Sequence, residues 1–195
     1  MNFLAHLFLS CQNEELMIGN FIADFLKNRD VQNYSSGVQD GIRLHRGIDI
    51  YTDNHPIVLQ GVRRLRANHS KYAPVVIDIY YDYLLANNFS LFSGQSLNEF
   101  TAQAYDVLLR NLDLMPGKLG QRLPYWIKDN WLMEYGKEEG LAFTFNRMKS
   151  RVSVPDMLND APRTLMEDLE TFGEEFIQFF PDVQYFVAEQ CGECE

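Results

Sequence analysis

Pro74-Val75-Val76-Ile77-Asp78-Ile79-Tyr80-Tyr81-Asp82-Tyr83-Leu84-Leu85 is the stretch on which the reading of this chain turns. Its β-branched residues permit a strand. Proline, however, is favoured in the first turn of a helix, and the apolar run continues through Leu84, Leu85 and Ala86 without a turn residue. The helix reading is therefore preferred. A helix apolar on nearly every side is a buried helix, so this one belongs at the centre of a helical core.

Working outward, helical spacing recurs on both sides. Leu16, Phe21, Ile22, Phe25 and Leu26 predict a helix over 14–28, with acids first and lysine last as the helix dipole prefers. Asn-Tyr-Ser-Ser-Gly at 33–37 breaks it, and Val38, Ile42, His45 and Ile48 predict a second helix over 38–52. Asn54-His55-Pro56 marks a new start, and the helix at 56–68 carries the arginines. Further helices are predicted near 97–111, 117–134, 138–150 and 162–190, the last with a wide stripe of Leu165, Leu169, Phe172, Phe176, Phe179 and Phe180. With no repeat or linker, the expectation is one all-α domain over 1–195, its chemistry in 1–90 and acidic helices at 156–190.

Composition agrees. The 195 residues are 46% hydrophobic and 23% charged, which excludes disorder and fibrous repeats. A chain of this length buries about 70% of its unfolded surface, so its stability requires neither disulfide nor structural metal. The three cysteines, Cys11, Cys191 and Cys194, are irregularly placed and read as unpaired thiols of a reducing compartment. The terminal Cys-Gly-Glu-Cys is a lone CxxC and reads as a solvated tail. The first residues lack a basic leader region and no window reaches the roughly 18 apolar residues of a spanning helix, so a cytoplasmic location is expected.

The net charge of -10 excludes a general polyanion binder but is unevenly spread. Residues 41–72 hold six bases (Arg43, Arg46, Arg63, Arg64, Arg66, Lys71) against Asp49 and Asp53, a local charge of +4. From 156 onward eleven acids face Arg163 alone. A basic segment of this kind suits a phosphate or an acidic protein surface, though a solvated helix face has the same pattern.

Chemistry is suggested by polar residues set into apolar faces. Asp78 and Asp82 lie four apart on the buried helix, and two carboxylates held there require a cation, either an arginine from 43 or 46 or a metal. Asn20 and Asp24 repeat the spacing, as do His45 and Asp49, with Asp53 one turn on, and His6 sits inside Phe-Leu-Ala-His-Leu-Phe-Leu. Imidazole plus carboxylate suits manganese, iron, zinc or magnesium, so a divalent-metal site between helices is the favoured reading. Arg43 and Arg46 bracket His45, and guanidinium groups beside such a site suit phosphoryl chemistry. No Gly-rich phosphate loop, GxSxG elbow or HExxH motif is present.

At these positions the chain resembles a known family. Met-Asn-Phe-Leu-Ala-His-Leu at 1–7, Gly-Asn-Phe-Ile-Ala-Asp-Phe at 19–25, Gly-Ile-Arg-Leu-His-Arg-Gly-Ile-Asp at 41–49, Thr-Asp-Asn at 52–54 and Ala-Pro-Val-Val-Ile-Asp-Ile-Tyr-Tyr-Asp at 73–82 resemble, in order, the motifs of bacterial acyl carrier protein phosphodiesterases. Beyond the first 90 residues only length, helical character and a Trp-containing stretch at 126–131 are similar. The resemblance implies an all-helical relative of the HD-domain phosphohydrolases that uses manganese or a similar ion. It implies removal of 4'-phosphopantetheine from the serine of holo acyl carrier protein. Within the HD pattern it places His6, Asp24 and Asp78 as ligands, with Ala23 where the doublet's histidine would stand and His45 as that ligand's replacement. Tyr83 follows Asp82 where relatives are expected to carry histidine, so any catalytic part of that histidine falls to another group here.

The combined expectation is a metal-dependent phosphodiesterase. His6, Asp24, Asp78 and Asp82 would hold the ion, Arg43 and Arg46 would neutralise the diester, and His45, oriented by Asp49 and with Asp53 nearby, would act as ligand or proton donor. Arg63, Arg64, Arg66 and Lys71 would dock the acidic carrier protein. Two rivals stand beside it: a phosphohydrolase of a small phosphodiester or nucleotide, and a non-enzymatic helical module whose polar pairs are ion pairs with arginine.

Overall fold

Twelve α-helices run through residues 1–192, which the computed structural model describes, and no strand occurs among the described residues. They are α1 (Phe3–Phe8), α2 (Glu14–Ile22), α3 (Ser36–Asn54), α4 (Pro56–His69), α5 (Ala73–Asn87), α6 (Phe89–Phe92), α7 (Leu97–Arg110), α8 (Leu119–Lys128), α9 (Trp131–Glu134), α10 (Glu138–Lys149), α11 (Ala161–Glu167) and α12 (Leu169–Cys191). The all-α reading holds. Cys194 lies outside the described residues.

Several boundaries differ from expectation for local reasons. The helix predicted over 14–28 ends at Ile22 and tightens into a 3₁₀ turn at Ala23–Phe25 before Leu26 turns extended. Apolar spacing of three persists through such a turn, so periodicity could not mark the change. The stretch 117–134 is broken at Asn130, whose φ of 50° is left-handed. The stretch 162–190 is broken at Asp168, which separates α11 from α12. α1, which periodicity did not predict, has six residues and depends on a partner described below.

α5 is the buried helix that its sequence implies. Pro74 sits in its first turn, and Val76, Ile77, Ile79, Tyr80, Tyr81, Leu84 and Leu85 are almost wholly inaccessible. The aromatic stripe of α12 closes over it: Tyr81 lies 5.2 Å from the ring of Phe176 and 5.3 Å from that of Phe179, and Tyr80 lies 5.2 Å from Phe172.

α2 and α3 pack almost backbone to backbone. A Cβ on Gly19 would stand 2.8 Å from the Cα of Gly41, so both crossing residues must be glycine. This contact brings Asn20, next to Gly19, against His45, one turn beyond Gly41. α3 itself starts at Ser35, whose hydroxyl accepts the Val38 N–H at 3.4 Å. It stops at His55, held extended before Pro56, which begins α4.

Cys11 and Cys191 correct the reading of unpaired thiols. They form a disulfide, with Cα atoms 6.6 Å apart, joining the α1–α2 connection to the end of α12 across 180 residues of sequence. Irregular spacing carries no sign of such a pairing, because only the tertiary fold sets the distance. No helix among the described residues is long and apolar enough to cross a membrane.

A histidine-carboxylate centre held by Asn20

His6 on α1 and His45 on α3 stack face to face, ring centroids 3.9 Å apart, and only 2% and 5% of their surfaces are exposed. One residue fixes both. The Oδ1 of buried Asn20 lies 2.8 Å from His6 Nδ1 and 3.2 Å from His45 Nδ1, and the Asn20 main-chain oxygen lies 2.9 Å from His45 Nδ1. The amide cannot be turned the other way, because its Nδ2 donates to the His6 main-chain oxygen at 2.7 Å and to Ser10 Oγ at 3.1 Å. Both histidines therefore face acceptors with Nδ1 and carry their proton there.

The consequence falls on the other nitrogens. His6 Nε2 lies 3.2 Å from Asp49 Oδ1, and His45 Nε2 lies 3.3 Å from Asp49 Oδ2 and 3.2 Å from Asp24 Oδ1. One donor atom each from His6, His45 and Asp49 falls within 4.8 Å of the others. Burial pulls the His6 pKa down to about 4, against the pull of Asp49, so its ring is neutral near pH 7. A neutral ring protonated on Nδ1 has only a lone pair at Nε2, and that lone pair faces a carboxylate oxygen. Two acceptors at this distance call for a cation between them.

The carboxylates are charged enough to attract one. Asp24 is held below the usual range by His45 beside it, and Asp49 is also lowered, its burial outweighed by His6 and the Met1 ammonium. The imidazoles lie at the floor of the centre. Solvent reaches it from the carboxylate side, where the Asp24 and Asp49 side chains are 64% and 40% exposed.

Asp78 joins this centre indirectly. The buried Met1 ammonium stands between it and Asp49, at 3.1 and 3.3 Å, and these two acids raise the ammonium pKa to about 10 despite burial. Burial pushes the Asp78 carboxyl upward, and the ammonium opposes the shift. Asp53 is exposed one turn along α3 and contributes only a field at Asp78.

Other expected site residues have different tasks. Asp82 is not turned to the histidines: its two oxygens accept the main-chain N–H groups of Leu4 at 2.9 Å and Ala5 at 3.1 Å, capping α1 from a distance. Arg43 pairs with Asp40 on the surface. It lies two residues from His45, about 200° around a helix of 3.6 residues per turn, and so on the opposite side. Arg46 does stand at the rim, donating to Asn28 Oδ1 at 2.8 Å on the segment that follows Asp24. No arginine pairs with Asp78 or Asp82 among the described residues, so the arginine explanation of that pair fails.

Arg63, Arg66 and Lys71 are exposed, with Lys71 donating to Ser153 at 2.9 Å. Arg64 is not available for docking. It ion-pairs with Glu175 at 2.6 Å and Asp168 at 2.9 Å and covers the Phe172 ring at 4.4 Å. Tyr83 makes no contact with the histidine pair; its phenol is buried toward Glu138, which raises its pKa after burial itself. Of the expected residues the structure brings His6, His45, Asp24 and Asp49 together, while the sequence assigns Asn20 no part beyond its spacing from Asp24. The available signal was an amide on the apolar face of a helix, which must find partners.

An all-helical domain with two histidines fixed by one amide and converging on carboxylates is the class that fold and centre define. The acyl carrier protein phosphodiesterase family profile matches residues 1–183. Acyl carrier protein phosphodiesterases from Photorhabdus laumondii and from Enterobacter sp. strain 638 are each 31% identical over 182 residues. The alignment covers 93% of this chain and 92% and 94% of those relatives, and that from Escherichia coli O45:K1 matches to the same extent. The chain belongs to the acyl carrier protein phosphodiesterase family. No solved structure matches it.

Proposed function

We propose that this protein is a divalent-metal-dependent phosphodiesterase that hydrolyses the bond between 4'-phosphopantetheine and serine in holo acyl carrier protein, releasing the apo form. One observation carries the reading: Asn20 receives both histidines at Nδ1 so that His6 Nε2 and His45 Nε2 converge on Asp49. His6, His45, Asp49 and Asp24 would hold the ion, and this mixed nitrogen and oxygen set suits manganese or iron, with zinc or magnesium as alternatives. A bound ion of this kind supplies Lewis acidity toward the phosphoryl group and acidifies water at neutral pH.

The chain's own residues do the rest. Asp24, which turns only one oxygen to His45, presents the other to solvent, where it can accept the proton of an attacking water. Arg46, at the rim, can leave Asn28 for a phosphate oxygen, and Arg43 is excluded by its side of the helix. His45 has both nitrogens engaged and suits ion holding better than proton donation. The relation to HD-domain phosphohydrolases belongs to the same proposal, with His45 from α3 in place of the missing doublet histidine. So does a cytoplasmic location, which now rests on a substrate protein made and used inside the cell, since the cysteines are paired.

Arg63, Arg66 and Lys71 remain free to meet an acidic carrier surface. The test is direct: purified protein with manganese converts holo carrier protein to apo, read by mass spectrometry as loss of the phosphopantetheine group. Charge reversal at Arg63 and Arg66 should raise KM and steepen its dependence on salt. Conversion that ignores both reversals would favour a small phosphodiester as substrate, and no conversion with any divalent ion would overturn the proposal.

A further inference from the structure

A cleft of about 620 Å³ opens beside the centre, between the start of α1, the turn after α2, and α8 to α10. Its size falls in the range of about 300–1,000 Å³ typical of small-molecule sites. Phe3, Phe25, Trp126, Trp131 and Phe143 line it, with Arg147 at its edge.

Three features separate it from ordinary surface relief. Phe3 and Phe25 stack nearly parallel, at 5.8 Å and 5°, and each is tied to the centre: Phe3 lies one helical turn before His6, and Phe25 adjoins Asp24. These two rings thus stand on the short elements that carry His6 and Asp24. Phe143 is 62% exposed, a large apolar side chain left facing water at the cleft. Arg147 lies over the rings of Trp126 and Phe143, at 5.4 and 5.8 Å, and forms no ion pair among the described residues, leaving its N–H groups free for carbonyl oxygens.

We infer that this cleft seats the pantetheine arm of the substrate, threaded away from the phosphodiester with its geminal methyl groups against the aromatic wall and an amide carbonyl on Arg147. The inference rests on the proposed function and names the subsite it requires. An uncharged chain of amides with a short branched apolar segment matches aromatic walls and an unpaired guanidinium. A bare acyl chain would leave the guanidinium unused.

The chain has two tryptophans, Trp126 and Trp131, and both line this cleft, so its intrinsic fluorescence reports occupancy. Titration with free pantetheine should change the emission saturably in the millimolar range. Phe143→Ala and Arg147→Ala, both at exposed positions that leave the fold intact, should weaken that binding and raise KM for holo carrier protein about tenfold. No saturable change at millimolar pantetheine, equal binding by both variants and wild type, or a response to a free fatty acid in place of pantetheine would overturn the inference. Fluorescence binding that both variants weaken, without hydrolysis of holo carrier protein, would leave the cleft as a pantetheine site and defeat the proposed function alone.

Discussion

Asn20 shows how one uncharged side chain can determine a charged site. Its side-chain oxygen receives the His6 Nδ1 proton and shares that of His45 with the main-chain oxygen of the same residue, so removing it frees the His6 ring to choose either tautomer and to rotate. Asn20→Leu preserves size in a fully buried position but ends that control. Manganese affinity, measured by titration calorimetry, should then fall about 10–100-fold, as for other supporting partners of ligating histidines. Equal affinity in variant and wild type would remove Asn20 from the site. At this scale His45 and Asp49 were legible, since a spacing of four puts side chains on one helix face. Arg43 and Arg46 were read together as flanking His45, and only their partners in the fold, Asp40 and Asn28, tell them apart. The task of Asn20 was not legible, because it depends on rings delivered by two other helices.

At the level of elements, α5 was read correctly as a buried helix, while the use of its carboxylates was not. Asp82 spends both oxygens on the amides of α1, a helix too short to persist without such help. Burial pushes its pKa up to about 7, with those two amides opposing the shift. The sign follows from linkage: a folded pKa above the unfolded value near 4 means that the native state holds the extra proton between them, so stability declines as pH rises from about 4 to about 7. His6, lowered to about 4, acts in the opposite sense over much of the same range, so the readout is a difference: as pH rises from about 4 to about 7, urea midpoints should change less favourably in the wild type than in Asp82→Asn, which has no proton to lose, and equal slopes would show that another group sets the dependence. Arg64 is the corresponding case on α4. It satisfies Glu175, a nearly buried acid of α12, so Arg64→Ala should cost about 2 kcal/mol in urea unfolding, the guanidinium's partial exposure holding the loss below that of a fully buried pair. Arg63→Ala, at an exposed position one residue away, should change stability by less than about 0.5 kcal/mol. A basic run in the sequence cannot reveal which of its members faces inward, because the acid that selects it lies 111 residues away.

Over the whole molecule, the two ends of the charge distribution meet. The basic stretch of α3 and α4 packs beside acidic α12 through Arg64 with Asp168 and Glu175, and through His55 with Asp182 at 3.2 Å. The uneven charge was visible in the sequence, but its partial cancellation is a property of the fold. From α4 onward, what remains outward is Arg63, Arg66 and Lys71, a smaller docking surface than was expected with Arg64 among them. The last helix is fastened at its other end by the disulfide between Cys191 and Cys11, which closes almost the entire chain into one loop. A cross-link of that span restricts the unfolded chain strongly, and its loss should cost about 2–4 kcal/mol. Cys11→Ser should therefore lower the urea midpoint, and reductant should lower that of the wild type by a similar amount while leaving the variant unchanged. Neither sulfur is among the groups that bond His6 or His45, so metal affinity should survive either treatment. A wild type whose midpoint ignores reductant, and whose thiols all titrate under denaturing conditions without it, would show that the pair does not form in solution.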